Sequence, residues 1–291
     1  MRRDDAIGER AVQHGGAMTD LYEAALACLR CADPASKVAL TREAAANWKA
    51  GRLAVPPLGT AAEAVEIPQP GRPERPRLVA PRDVARRRLG SPGGRAALVH
   101  AVAHIELNAI DLAWDAVYRF RAFPPAYVDD WVGVAEDEAR HYTLLAGRLA
   151  ELGHAYGDFD AHNGLWEMAV KTADDPLRRM ALVPRVLEAR GLDVTPGMIE
   201  RLRAVGDHET VAILELILRE EVAHVAAGSR WFAWCCAGRG LAPEPTFRGL
   251  LAEVSPGLLR GPLNHAARIA AGFTARELAS YDPVTTAEAV P

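Results

Sequence analysis

The chain has 291 residues, a formal net charge of −4, a pI near 6.2 and four cysteines. This length allows one or two domains, and we expect one main core. A chain with this small negative charge has no global basic field, so no nucleic-acid partner is expected and the strongly basic class of binding proteins is excluded. The cysteines fall in two local pairs, too few and too clustered for a disulfide framework.

A membrane role is also not expected. No apolar run approaches the roughly 20 residues that cross a bilayer, and the first residues carry charges without the apolar region of a signal peptide. We therefore predict a cytoplasmic protein.

The first third of the chain divides into two parts. Residues 18–50 predict two helices that are interrupted at Asp33-Pro34, so we assign residues 1–55 to an N-terminal helical extension. Residues 56–90 are rich in proline, which lacks an N–H group and fixes φ, so they predict an extended arm.

The rest of the chain predicts helices throughout. We assign residues 91–240 to a helical bundle, with a third core helix over 176–190 that Gly191 closes and a short separate helix over 195–204. Residues 241–291 predict a C-terminal helical extension packed on the bundle. No segment shows the alternation of a strand, so the fold class is all-α.

Two copies of Glu-x-x-His mark the bundle: Glu138 with His141, and Glu221 with His224. Residues three apart on a helix share a face, and each pair lies in an apolar helical stripe. A carboxylate and an imidazole one turn apart can therefore reach the same metal site from within a core.

A single glutamate precedes each motif at a similar interval. Glu106 lies 32 positions before Glu138, and Glu188 lies 33 positions before Glu221. Two Glu-x-x-His helices with one further Glu from each of two others form the ligand set of di-iron and di-manganese bundle cores. The sequence thus predicts a two-metal site with six ligands: Glu106, Glu138, His141, Glu188, Glu221 and His224.

Other interpretations stay open at this point. The Glu and His pairs could hydrogen-bond across a core without metal. The apolar stripe of Glu188 is short, because Pro184 should kink it and Gly191 soon ends it. Glu220 competes with Glu221 but falls on a different side of its helix, where an outer or solvated position is expected. His100 and His104 form a weaker alternative metal pair, since His104 points away from Glu106 by roughly 200° at helical pitch.

At these residues the chain resembles the ferritin-like superfamily, and more specifically an uncharacterised bacterial family within it, domain of unknown function 455. The matching segments cover roughly residues 90 to 273. They are HIELNAIDLAWDAVYRF, EDEARHYTLLAGRLAELGHAYGDF, GLWEMAVKTADD, MALVPRVLEARGLDVTPGM and EEVAHVAAGSRWF.

The resemblance implies a ferritin-like four-helix bundle with additional N-terminal and C-terminal helices, around a two-metal centre. In that centre Glu106 and Glu188 would be terminal ligands, Glu138 and Glu221 would bridge, and His141 and His224 would each bind one metal. The family carries no assigned reaction, so the resemblance supplies none.

The donor set indicates the chemistry instead. Four carboxylates and two imidazoles suit two iron ions, with manganese or a mixed manganese–iron pair as alternatives. The leading hypothesis is an O₂-dependent oxidoreductase of the hydroxylase or oxygenase type. It would use O₂ or peroxide, a small organic substrate and a separate electron donor, as a monomer or homodimer.

Two further hypotheses come from other classes. One is an iron-handling ferroxidase or peroxide-detoxifying protein, and the other is a metal-free helical binding protein. The sequence leaves the substrate, the metal and the electron donor open.

Overall fold

A computed structural model describes residues 20–57, 59, 63–85, 87–254, 262–279 and 281. It begins with two short helices, α1 (Leu21–Arg30) and α2 (Pro34–Lys49). Asp33 caps α2, because its Oδ1 accepts the Ser36 N–H at 2.8 Å and Pro34 occupies the first helical position. The break at Asp33-Pro34 is therefore confirmed.

The arm after α2 is tied down on both sides. Gly71 N–H donates to the Leu29 carbonyl at 2.7 Å, and Val79 N–H donates to the Ala161 carbonyl at 2.8 Å. In the described part of the arm the one regular element is a single 3₁₀ turn at Pro81–Asp83, just after the second tie. The arm is extended because its prolines cannot donate the backbone bonds that a helix needs.

The two longest core helices of the first half pack together: α3 (Pro92–Arg119) and α4 (Pro125–Glu151). Ser91 caps α3 by accepting the Gly94 N–H at 3.1 Å. The short connection between the helices makes them antiparallel neighbours. α2 packs on α4 and α1 packs on α3, so the N-terminal helices cover the outside of this pair.

The next stretch differs from the expectation. After α5 (Gly164–Lys171), helix α6 (Pro176–Leu182) continues into a π-helical segment, Val183–Glu188, and then into α7 (Ala189–Ala204). Gly191 lies inside α7 and does not end a helix. The expectation of a helix closed at residue 190 and a separate one at 195–204 is wrong.

The reason lies in packing on the longest helix, α8 (His208–Gly238). A Cβ placed on Gly228 would lie 2.3 Å from Cβ of Pro184, so only glycine lets the π segment come this close to α8. The π geometry accommodates Pro184 without breaking the helix. Tertiary contact, rather than local propensity, keeps residues 176–204 helical.

Three short helices follow: α9 (Pro243–Val254), α10 (His265–Ala270) and α11 (Ala275–Ala279). The buried guanidinium of Arg185 lies among them: its Cζ is 4.5 Å from the ring centre of Phe247 in α9 and 4.2 Å from that of Phe273, before α11, and Nη2 donates to Glu277 of α11.

Within the described residues the protein is all-α, with two isolated β-bridges and no strand. One contiguous core joins α1 to α11. The four cysteines are free. The ferritin-like arrangement and the four-part domain division stay predictions. Residues 1–19, 58, 60–62, 86, 255–261, 280 and 282–291 of that division lie outside the described part.

One helix bears on the membrane prediction. By length and composition, α3 could cross a bilayer, with a mean hydropathy of 1.3 over its most apolar window, although the sequence analysis expected no such segment. In the folded protein 72% of that window is buried against other helices, which is typical of the core helix of a soluble protein. The cytoplasmic location stays a prediction.

Candidate metal centre

The two Glu-x-x-His motifs meet in the core because α4 packs against α8. Four residues each place one donor atom within 4.8 Å of the others: Glu106, Glu138, His141 and Glu221. Glu106 comes from α3, so three helices supply this group. All three of its glutamates are shielded from solvent, with side-chain exposures of 5% for Glu106, 1% for Glu138 and 13% for Glu221.

Glu138 lies at the middle of the cluster. Its Oε2 is 3.3 Å from Nδ1 of His141, and its Oε1 is 3.0 Å from Nδ1 of His224. The two oxygens of one carboxylate therefore face the histidines of two different motifs. This is the placement that a bridging carboxylate needs.

The other glutamates flank the two histidines. Glu106 Oε2 lies 3.2 Å from Nδ1 of His141, and Glu221 Oε1 lies 3.4 Å from Nδ1 of His224. Nδ1 of His224 faces both carboxylates at these distances without a hydrogen bond of good geometry to either. A buried imidazole nitrogen that faces two carboxylates without bonding either is the arrangement that a shared cation would satisfy.

Glu188 lies outside the four-residue group. It ends the π segment, and its Oε2 is buried without a hydrogen-bond partner. Burial, with the neighbouring charges of Glu221 and Glu138, raises the pKa of Glu188 to about 8. The side chain therefore faces the same acids, and one of its oxygens is free to bind.

The protonation of the metal-free cluster follows from the crowding of acids. Burial and the charge of Glu138 raise the pKa of Glu106 well above its usual range. Burial opposes ionisation of Glu138 too, but hydrogen bonds from Glu106 and His141 outweigh it and hold the pKa of Glu138 well below its usual range. The glutamates thus share protons that a divalent cation would displace.

The pKa values of both imidazoles are raised. Burial lowers the pKa of His141, but hydrogen bonds to Glu106 and Glu138 outweigh it and raise the value to about 11. The pKa of His224 is also raised well above its usual range, since Glu221, Asp137 and Glu138 outweigh the effect of burial. Without metal, both rings are cations that neutralise the carboxylates.

Two acids outside the cluster, Glu220 and Asp137, contact the Nε2 atoms of the two histidine rings. Glu220 Oε2 lies 2.7 Å from Nε2 of His141, and Asp137 Oδ2 lies 3.3 Å from Nε2 of His224. Each acid belongs to the opposite motif, so the pairing crosses between α4 and α8. Such partners fix the tautomer and orientation of a metal-binding imidazole and leave Nδ1 facing the cluster.

Arg140 joins the two outer acids. Its Nη2 donates to Asp137 Oδ1 at 2.7 Å and to Glu220 Oε2 at 2.8 Å. The expected outer position of Glu220 agrees with these contacts, whereas the role of Asp137 toward His224 was missed. An available signal was that an acid directly precedes the Glu of both motifs.

The alternative pair does not form a metal site in the described structure. His104 Nδ1 is 2.8 Å from the Tyr156 hydroxyl, and its Nε2 is 3.0 Å from the His162 carbonyl. His100 Nε2 accepts the Gly157 N–H at 2.9 Å. Both nitrogens of His104 and Nε2 of His100 are thus occupied by hydrogen bonds, while Nδ1 of His100 is buried without a partner.

The chemistry available to this donor set is metal binding. Carboxylates and imidazoles in a dry core suit divalent iron or manganese, and the orphaned oxygen of Glu188 and nitrogen of His224 fit that use. The six side chains predicted from the sequence are thus near one another, and their role as ligands stays a prediction.

Comparison with known proteins extends this description. The model of a family described as protein of unknown function (DUF455) matches residues 30–279, which include all six side chains. An uncharacterized protein from Haemophilus influenzae is 47% identical over 213 residues, which are 71% of this chain and 74% of that protein. No solved structure matches the chain.

Proposed function

We propose that this chain, which belongs to the DUF455 family, is a non-haem dinuclear metal protein and an O₂-dependent oxidoreductase for a small organic substrate. The observation that carries the proposal is the position of Glu138, between the imidazoles of His141 and His224. One carboxylate between two histidine half-sites is what a pair of metal ions requires.

Each half-site would use residues of one motif and one further glutamate. Glu106 and His141 would hold one ion, Glu188 and His224 the other, and Glu138 and Glu221 would lie between them. The ferritin-like bundle is part of this proposal, since helices α3, α4 and α8 and the π segment would supply the ligands as that architecture does.

The metal would supply redox chemistry, because bound iron or manganese with open positions activates O₂ or peroxide. The chain's own residues would hold the ions in a dry core and exclude side reactions with water. Asp137 and Glu220 would keep both imidazoles oriented. The substrate and a separate electron donor would come from outside.

Metal content tests the proposal that the chain binds two metal ions. Protein expressed with added iron and manganese should contain about two metal ions per chain, and Glu138→Gln should contain less than about one. Glu136→Gln is the matched control, because Glu136 lies on the same helix but pairs with the exposed Lys49. Wild-type protein with less than one equivalent would instead favour the metal-free binding protein.

Oxygen consumption tests the proposal that the chain is an O₂-dependent oxidoreductase. Reduced, iron-loaded protein should consume O₂ faster when a substrate is present among candidate metabolites. Substrate-independent oxidation of ferrous iron, together with a large shell of subunits in size-exclusion chromatography, would identify the iron-handling alternative and overturn the oxygenase.

A further inference from the structure

A second site lies on the other side of α3, in a cleft of about 430 Å³ between that helix and the proline-rich arm. Gln69, Arg72 and Arg77 line it from the arm, and His104 and Tyr156 line it from the helical body. His104 and Glu106 are two residues apart on α3, about 200° around the helix. The cleft is therefore separate from the candidate metal centre.

The half-buried guanidinium of Arg72 is the distinctive feature of this cleft. Its Nη1 donates to Asn163 Oδ1 at 2.5 Å, and its Nη2 donates to Asn108 Oδ1 at 2.7 Å. These neutral amides orient the cation without neutralising it. In the part of the chain that the structure describes, Arg72 forms no ion pair with a carboxylate.

A carboxylate whose charge stabilises the Arg72 guanidinium is already paired with a lysine. Asp111 favours the charged form of Arg72, but its own carboxylate pairs with Lys37 in the core. Burial accordingly lowers the pKa of Arg72. A desolvated cation without a counter-ion is costly, and an anion from solution would reduce that cost.

The position of Arg72 is fixed before any ligand arrives. The arm is tied on one side by Gly71 N–H to Leu29 and by Trp166 Nε1 to the Pro68 carbonyl at 3.1 Å. On the other side the Ala161 N–H donates to the Arg77 carbonyl at 3.0 Å. Arg72 thus has little freedom to lose on binding, which favours affinity.

The charge of the arm favours an anionic ligand. The sequence of the arm over residues 69–88 contains seven arginines and two acids, in a chain whose formal net charge is −4, although Arg77 of the cleft is paired with Asp160. A local excess of positive charge attracts anions and raises their local concentration. Glu74 also lines the cleft and opposes this attraction, so the guanidinium of Arg72 is the specific element.

The hydrogen bonds already made inside the cleft limit which donors remain for a ligand. His162 O accepts from His104 Nε2, so Nδ1 of that ring accepts from the Tyr156 hydroxyl. The Tyr156 proton is therefore already donated. Among the side chains that line the cleft, the donors left for a ligand are Arg72, the Gln69 amide and Nη1 of Arg77, whose Nε and Nη2 donate to Asp160. Guanidinium groups bind carboxylate and phosphate oxygens in the same forked geometry.

We propose that this cleft binds a small oxyanion, a carboxylate or phosphate group of a metabolite, on Arg72. The site requires no metal, so it stands independently of the proposed oxidoreductase. Binding therefore survives removal of metal by a chelator.

The test is calorimetric titration of metal-free, full-length protein with inorganic phosphate and with succinate at low ionic strength. We expect at least one of them to bind, and Arg72→Gln to weaken that binding about tenfold or more. Arg82→Gln is the matched control, because it removes the same charge from the same arm at a side chain that is 88% exposed. It should change the affinity less than about twofold.

The outcomes separate the sources of the oxyanion. Tighter binding of phosphate indicates a phosphate ester, and tighter binding of succinate indicates a carboxylic acid. The proposal is overturned if neither probe binds below about 10 mM, or if both variants lose affinity equally, which would indicate general charge attraction.

A second measurement needs no variant and so does not depend on how Arg72→Gln folds. Phenylglyoxal modifies arginines, and peptide mass spectrometry reports the rate at each position. Phosphate or succinate should slow modification of Arg72 and leave that of Arg82 unchanged. Equal rates at Arg72 with and without the anions would contradict the site.

Discussion

Asp137 contacts His224 across the helix pair, with 3.3 Å between Oδ2 and Nε2, although the two residues belong to different Glu-x-x-His motifs. Glu220 contacts His141 in the same crossed manner, at 2.7 Å. Each motif therefore supplies the outer partner of the other motif's histidine. The two half-sites are linked through these contacts as well as through Glu138.

Asp137 and Glu220, which contact each other's motif, should strengthen metal binding. Asp137→Asn and Glu220→Gln should each weaken metal binding about 10- to 100-fold, because the imidazole loses its orienting carboxylate. Competition with a fluorescent chelator measures the change. Glu136→Gln, one position before Asp137 and paired with Lys49, should bind as the wild type does. An equal loss in that control would contradict the crossed arrangement.

Glu188 offers a test in which two readouts move differently. Its pKa of about 8 means that the metal-free protein holds it mostly protonated at neutral pH, where Gln is a close mimic. Glu188→Gln should therefore change the unfolding free energy of the metal-free protein by less than about 1 kcal/mol. It should nevertheless lower the metal content to about one ion per chain. Unchanged metal content would remove Glu188 from the ligand set.

The close approach of the π segment to α8 should be sensitive to one methyl group. Gly228→Ala places Cβ 2.3 Å from Cβ of Pro184, so it should destabilise the protein by about 2 kcal/mol and lower metal content by displacing Glu188. Urea unfolding measures the cost. Gly147→Ala, on α4 with open space around its Cβ, should be neutral or stabilising by up to about 1 kcal/mol.

The buried pair of Lys37 and Asp111 should hold α2 on α3. Both side chains are almost fully buried, so Lys37→Met leaves a buried carboxylate unpaired and should cost about 4 kcal/mol at neutral pH. Adding Asp111→Leu should restore more than half of this loss. The exposed pair of Lys49 and Glu136 is the control, where Lys49→Met should cost less than about 1 kcal/mol.

His100 should make stability depend on pH. Burial lowers its pKa from 6.5 to about 4 in the folded protein, and its Nε2 already accepts the Gly157 N–H. Between pH 6.5 and 4 the unfolded chain binds this proton and the folded protein does not, so stability falls as the pH falls. At about 1.4 kcal/mol per pKa unit, the contribution lost by pH 4 should be about 3 kcal/mol.

Urea unfolding of the wild type and of His100→Gln at several pH values measures this contribution of His100 to stability. The variant should show a shallower loss of stability between pH 6.5 and 4, because glutamine takes up no proton. Parallel curves for the two proteins would contradict the lowered pKa of His100.

Much of the local structure could be predicted from the sequence. The spacing of the Glu-x-x-His motifs places Glu and His on one helix face whatever the rest of the fold does, because three residues are nearly one turn. Caps such as Ser91 and Asp207 fix where helices begin, through bonds to residues three positions away. These features are local, so the chain itself determines them.

Tertiary structure decided the features that join distant residues. The crossed contacts of Asp137 and Glu220 join positions 79 to 87 apart, and no helical period relates them. Helix 176–204 runs through Gly191 because packing of Pro184 on Gly228 outweighs a weak local stop signal. The unpaired state of Arg72 likewise depends on where the arm crosses α3. The sequence thus determined which side chains face the core, while packing decided which of them meet.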